Sequence, residues 1–478
     1  MKKRKFHMKR SLIVALVCLV LVSACSQSNK TPPTATTGTK TLPTRIVQTA
    51  KTATEKVPVP TPTRAAYLDV GDDLLKGINI TLMHPWQDET AVRLQELVNE
   101  FNQTNEWGIS VTLLARGGAD DLFDSLETSI AESSVPEIVV LNPYQAEQLD
   151  GNHFWLDISQ FITDEKWGLD EETLADIPSY FLDMQKVGTR MIGFPAFVSA
   201  DVLFYNVTWA KELGFNAPPT TFEQLREQSC AAYQALLKDN SADNDGTGGL
   251  LLNLSSNSVL SWFHAVGVAQ IALDETPEFN NIAGEMAFGN MKSLYDEGCA
   301  WVGRQPLPYN YFAERYALFY AGDSANIGQQ LNVLSLIESE DEWLMLPYPS
   351  TDGKGSLLFS GPSYIISVDK PEVQLASWLF VRWMASDPVQ QSFTGVSGSW
   401  PLSNTAMQSV QNSAQWSHIS QMDPAIYFVP NRQKWGPESM LLQDAFWRAL
   451  MLESGSLPTV LQMLDDTLLE INEMSFDD

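Results

Sequence analysis

Between residues 78 and 141, short apolar runs alternate with amphipathic stretches, and this alternation narrows the possible folds more than any other feature of the chain. Ile78 to Met83 reads as a strand, and Ile109 to Leu114 as a second. Between them, Thr90 to Phe101 sets Val92, Leu94, Leu97, Val98 and Phe101 at helical spacing. Asp120 to Ile130 carries Leu122, Phe123, Leu126 and Ile130 on one helical face, and Pro136 leads into a third strand, Glu137 to Leu141. Strands separated by helices of this length predict βαβ units around a mostly parallel sheet, an α/β fold. With 478 residues, 44% of them apolar and 18% charged, the chain is long enough for two or three compact units, each with its own core.

The middle reads as mainly helical, with helices over Phe222 to Leu237 and Ser258 to Ile271. The Asp243-Asn244-Asp245-Gly246-Thr247-Gly248-Gly249 run between them resembles half of a calcium loop. With Gly246 at loop position six, however, Ser241 stands where Asp is needed and Leu252 where the bidentate Glu belongs, so the run is expected to be a surface turn. Pro371 to Ala385 predicts a helix, and Ser386 or Asp387 then caps another that begins with Pro388. Leu457 to Met474 predicts a terminal amphipathic helix.

The first residues read as an export signal. Lys2, Lys3, Arg4, Lys5, Lys9 and Arg10 precede an apolar run from Leu12 to Leu21, too short to span a bilayer, where about 20 residues are needed. Residues 1–24 are therefore expected to be a signal peptide. Val22-Ser23-Ala24-Cys25 resembles a lipoprotein processing site, which implies acylation of Cys25. Residues 25–66, rich in Thr, Pro, Lys and Ala, lack the apolar side chains needed to offset ordering entropy and read as a tether. Only Cys230 and Cys299 remain for the folded part, and their sequence positions are compatible with either a pair or two separate thiols. A net charge of -28, despite this basic leader, argues against nucleic-acid binding, which requires a basic footprint.

Several segments, in order, resemble the family-1 extracellular solute-binding proteins of ABC importers, the group containing maltodextrin-binding and glycerol-phosphate-binding proteins. They are Ile78–Phe101, Gly193-Phe194-Pro195 followed by Phe204-Tyr205-Asn206, the helix start Pro218-Pro219-Thr220-Thr221-Phe222-Glu223-Gln224-Leu225, and the stretch from Gly361 to Pro401. The resemblance implies a two-lobe periplasmic-binding-protein-like fold of type II, with a ligand cleft between lobes joined by a hinge. It places lobe one at 67–198 and 358–405 and lobe two at 199–357 and 406–478. It further implies a monomer, lipid-anchored on the outer face of a bacterial membrane, that captures a carbohydrate by hinge closure and delivers it to permease subunits. Glycerol phosphate or another small solute is the alternative ligand, and delivery to a sensor the alternative destination.

Cleft ligands are expected in loops at strand ends. After the first strand these offer Trp86 as a stacking ring, with Gln87 and Asp88 for hydroxyl groups; after the third they offer Asn142 and Tyr144. Ser199 and Asp201 lie at the first crossing, and Ser256 and Ser258 near a helix start whose amides suit polar groups. By resemblance, Ser324 follows the glycine turn at Gly322, while Gly361 marks the return strand and Trp400 offers a further ring platform. Asn431, Arg432 and Trp435 are candidates for the rim. No metal or cofactor is expected: His84, His153, His264 and His418 are scattered, without Cys-x-x-Cys, His-Glu-x-x-His, P-loop or Gly-x-Ser-x-Gly spacing. The rival from another class, an exported glycan-cleaving enzyme, would need two opposed carboxylates, for which Asp88 and Asp201 are the chief candidates.

Overall fold

A computed structural model describes residues 66–150, 154–271, 275–305, 307–452 and 456–473. The signal peptide, Cys25 and the tether lie outside the described residues. The strands in chain order are β1 (Asn79–His84), β2 (Ser110–Ala115), β3 (Ile138–Leu141), β4 (Lys186–Val187), β5 (Arg190–Met191), β6 (Phe194–Pro195) and β7 (Ser199–Asn206). They continue with β8 (Gly248–Leu252), β9 (Ala300–Val302), β10 (Ala317–Asp323), β11 (Trp343–Leu346), β12 (Ser356–Ser360), β13 (Ser363–Ile366) and β14 (Ala425–Phe428).

The first sheet runs β2-β1-β3-β13-β6, with β1 parallel to β2 and β3, and β13 antiparallel to its neighbours. Because side chains alternate across a strand, Ile80, Leu82, Ile138 and Val140 enter one core while Met83, Val139 and Leu141 enter another on the opposite face. Helices Asp88–Thr104 and Pro371–Met384 cover the first face, burying Leu94, Leu97, Phe101 and Trp378. Helix Ala119–Ala131 covers the second with Leu122 and Leu126.

The second sheet runs β14-β12-β7-β10-β8-β9, and β11 continues the β12 side of β7. All eight residues of β7 are buried: Ala200, Val202 and Phe204 enter the core shared with the first sheet, and Leu203 and Tyr205 enter a separate core. The middle of the chain is thus less helical than expected. β8 is a continuous buried Gly-Gly-Leu-Leu-Leu run without alternation, so its periodicity does not announce a strand. Its Gly249 admits close packing: a Cβ there would lie 2.1 Å from the Cys299 carbonyl oxygen. The helix expected to reach Ile271 ends at Ala265, with Gly267 at φ 97° just beyond. Its N-cap is Ser255, whose side chain accepts from the Ser258 N–H. Helix Phe222–Leu237 keeps its expected bounds, with a reciprocal Thr221/Gln224 cap. Cys230 and Cys299 form a disulfide.

The chain crosses between sheets three times, and the crossings are stitched together. The Pro362 carbonyl accepts from the backbone N–H groups of Ala196 and Phe197 at 3.1 and 3.2 Å, and the Trp400 N–H donates to Val198 at 2.6 Å. A Cβ at Gly361, held at φ 146°, would lie 2.0 Å from the Phe197 carbonyl oxygen, so this close approach requires glycine.

Candidate functional site

The carboxyl ends of β1, β3, β8, β9 and β10 supply the loops that meet between the two sheets. A cavity of about 360 Å³ is lined from the first sheet by Trp86, Thr90, Asn142 and Gln145, and from the second by Asn326 and Gln329. Asn326 also borders an adjoining cavity of about 300 Å³ that contains Asn253, Gln305, Leu307 and Tyr309. Among the described residues, no Lys, Arg, Asp or Glu lines either space. In a chain with 58 acidic residues, a junction lined by amides and aromatic rings is a selective arrangement.

Trp86 is half-buried. Phe393 and Tyr364 meet it edge-on at 5.5 and 6.4 Å, and His84 stacks beside it at 5.8 Å. These neighbours orient the ring without burying it completely. Burial lowers the His84 pKa to about 4, so the imidazole is neutral at physiological pH. Asn142 follows β3 and starts helix Pro143–Leu149, where its backbone and side-chain N–H groups both donate to Gln145 Oε1, at 3.2 and 2.9 Å. That shared acceptor couples two lining residues one helical turn apart.

The other predicted residues are placed differently. Gln87 is exposed and donates to the Gly117 carbonyl. Asp88, also exposed, opens its helix at φ 53°. Tyr144 turns onto the core of the second lobe, where burial and the charge of Asp120 raise its pKa. Ser256 is half-exposed but outside both cavities. Gly361 contributes to the crossing, next to the lining residue Pro362.

Four of the expected residues are buried and engaged with partners inside the protein. Ser258 is fully enclosed and hydrogen-bonded to the Tyr348 hydroxyl at 2.8 Å. Ser324, equally enclosed, accepts from the Ala200 N–H at 3.1 Å and so clamps β7 instead of facing a solute. Ser199 donates to Asp323 Oδ2 at 2.7 Å. Trp400 packs edge-on against Phe359 and Trp416, both at 5.0 Å, beside a separate cavity. Among the rim candidates, Arg432 pairs with buried Glu438 at 3.2 Å and reaches Asn472, binding the terminal helix in place.

The lining residues Gln145, Gln305, Tyr309, Asn326 and Gln329 were not anticipated. Asn326 lies two residues beyond Ser324, because the short helix Ser324–Asn326 turns the chain before it reaches the cavity. Tyr309 opens the short helix Tyr309–Ala313, and the sequence around it and Gln305 carries no periodic pattern.

Behind the cavity, Asp201 and Asp323 are directly paired residues of β7 and β10. Asp323 accepts from Ser199 and from the Ala325 N–H, interactions that favour its charged form against the opposing effect of burial. Burial, then the neighbouring Asp323 charge, drives Asp201 well above the carboxylate range, and burial raises Asp323 as well. With Asp201 enclosed and Asp88 exposed in another loop, the chief carboxylate candidates do not oppose each other across the cavity. Among the described residues, the cluster with metal-ligand spacing is Cys230, Glu297 and Cys299, whose sulfurs are joined in the disulfide.

Residues 96–426 match the family described as bacterial extracellular solute-binding protein, and the chain belongs to it. Its class is therefore that of extracytoplasmic solute binders, not enzymes. No curated protein sequence matches the chain. Among solved structures, the sugar-binding protein MalE from Xanthomonas citri superposes with a TM-score of 0.70 at 19% identity, covering 82% of this chain and 97% of that one. The cyclic alpha-maltosyl-1,6-maltose binding protein from Arthrobacter globiformis gives 0.68 at 17%, with coverages of 82% and 98%. The Thermus thermophilus maltotriose binding protein bound with maltotriose gives 0.60 at 15%, covering 82% and 99%. These similarities establish the shared two-lobe α/β fold. No helix among the described residues is long and apolar enough to cross a membrane.

Proposed function

We propose that this protein captures a carbohydrate between its lobes, closes around it by rotation at the stitched crossings, and delivers it to the permease of an ABC importer. The observation that carries this reading is the uncharged lining. One indole and a set of primary amides meet there from both sheets. An indole face suits the apolar C–H face of a sugar ring, and each amide both donates and accepts, as a hydroxyl group does. A phosphate ester would call for Arg or Lys, and none lines the cavities among the described residues. That the solved structures this chain resembles include sugar-binding proteins supports the same ligand class. Closure follows from ligand contacts made by both lobes at once, which favour the closed form through differential affinity. Lobe one then comprises 67–198 and 358–405, and lobe two 199–357 and 406–478. Acylation at Cys25, after removal of residues 1–24, holds the protein at the outer membrane face on the 25–66 tether, and it works as a monomer.

The test is thermal unfolding of the full chain with maltose, maltotetraose, a monosaccharide panel and glycerol 3-phosphate. A sugar at a hundred times its Kd is expected to stabilise the fold by about 2.7 kcal/mol, and Trp86→Ala to abolish the shift. Stabilisation by the phosphate ester alone would overturn the carbohydrate reading. The anchor is read separately, as incorporation of labelled fatty acid that Cys25→Ser eliminates.

A further inference from the structure

A second concavity lies at the opposite end of the first sheet's parallel strands, where helix Asp88–Thr104 ends and β2 has yet to begin. Its volume is about 730 Å³, larger than either cleft cavity and within the range of small-molecule sites. Two half-exposed indoles line it, Trp107 and Trp383. Both are positioned by other rings: Trp107 meets Trp167 edge-on at 6.2 Å, and Trp383 lies 5.5 Å from Phe101.

The polar groups of this concavity are incompletely used. Arg382 donates from Nη1 to the carbonyls of Trp167 and Gly168, at 3.0 and 3.4 Å. Its Nε and Nη2 groups have no hydrogen-bond partner among the described residues, and no carboxylate forms an ion pair with it there. Burial holds the guanidinium below its ordinary range, opposed by the charges of Glu106 and Asp170. Glu106 and Glu165 accept no hydrogen bond among the described residues. Asp170, by contrast, is occupied with the backbone and hydroxyl of Thr173.

We infer that this concavity is a second carbohydrate-binding site, separate from the cleft, in which Trp107 and Trp383 support sugar rings while Arg382 donates to hydroxyl groups and Glu106 and Glu165 accept from them. The ligand class follows from the mixture of groups. An anion would confront three carboxylates, and a cation would confront Arg382 and Lys166. A purely apolar molecule would strip water from all of these charges without replacing their hydrogen bonds. Hydroxyl groups satisfy donors and acceptors alike, and ring C–H faces suit indole. A site here lies away from the strand ends that close on a captured solute, so it can hold a glycan while the cleft is open or occupied.

Indole ¹⁵N–¹H spectra of the full chain, recorded as maltotetraose or cellotetraose is added to millimolar concentration, test this inference. The Trp107 and Trp383 signals, assigned from Trp107→Phe and Trp383→Phe, are expected to shift saturably with at least one tetrasaccharide, and equally in a Trp86→Ala background. Arg382→Gln is expected to weaken that saturation about tenfold, the scale of one or two lost hydrogen bonds. Glu165→Gln, an exposed change, provides the same reading if Arg382→Gln does not fold. Absence of a saturable shift with either sugar, its loss in Trp86→Ala, or an equal response to glycerol 3-phosphate would overturn the second site. A silent Trp86 signal beside shifting Trp107 and Trp383 counts against the cleft reading alone.

Discussion

The two lobes present similar loops to the cleft but are held together differently. The first lobe is a sheet between two apolar layers, and its central tryptophan, Trp378, is fully buried and donates to the Trp167 carbonyl at 2.8 Å. The second lobe places a disulfide, the paired Asp201 and Asp323, and a buried Arg432–Glu438 pair around its sheet. Both nevertheless expose uncharged side chains where they face each other. The contrast teaches that in this acidic protein the chemistry of the binding surface is independent of the chemistry of the supporting core. Ionisable groups lie behind the cavity, and amides line it.

The largest expected effect tests the disulfide as a brace particular to the second lobe. Cys299→Ser releases a crosslink between residues 69 apart in sequence, with an expected cost of roughly 4 kcal/mol in chemical denaturation. A cost below about 1 kcal/mol would mean that apolar packing alone holds both lobes. In the first lobe, Trp378→Phe is expected to cost about 2 kcal/mol, through lost packing and the missing indole donor. Asn326→Ala removes an amide shared by both cavities and is expected to weaken sugar binding about tenfold while leaving the unfolding midpoint of the free protein nearly unchanged.

The smallest effect concerns pH. The folded state raises the Asp201 pKa above its ordinary 3.8, so the folded chain binds the proton more tightly than the unfolded chain. The stabilising contribution is fully present below 3.8 and is lost as pH rises through the folded value. Asp201→Asn is therefore expected to flatten the decline in stability with rising pH across that interval, measured as the difference between the two proteins. Parallel curves would show that Asp201 is charged in the folded state and that the lobes do not differ in this respect.

Much of the scaffold was legible because helical periodicity is a local property. Helix Phe222–Leu237 falls where its apolar spacing and its Thr221/Gln224 cap place it, and Ser386 occupies the N-cap position of helix Asp387–Ser397, just ahead of Pro388, without a side-chain capping bond. Strands of the second lobe were harder to read. β8 is buried on both faces and so lacks alternation, the signal that marks a half-buried strand. Trp86 and Asn142, expected just beyond apolar strands, do line the cavity between the sheets, because those strands' carboxyl ends face it. Ser258 and Ser324 hydrogen-bond internally, a use that the sequence does not separate from ligand contact, because a small polar residue near a helix start serves equally well for either.

The sequence alone determined the alternation of strand and helix, the acidic surface and the loop ends from which a binding site had to be drawn. These are consequences of local periodicity, composition and chain direction. Only the tertiary structure decided that Cys230 meets Cys299, that Asp201 lies against Asp323, and that Asn326 reaches the cavity while Ser324 does not. Each of those outcomes depends on which distant strand or turn lies opposite, and burial then determines whether a polar side chain is used internally or remains available to a solute.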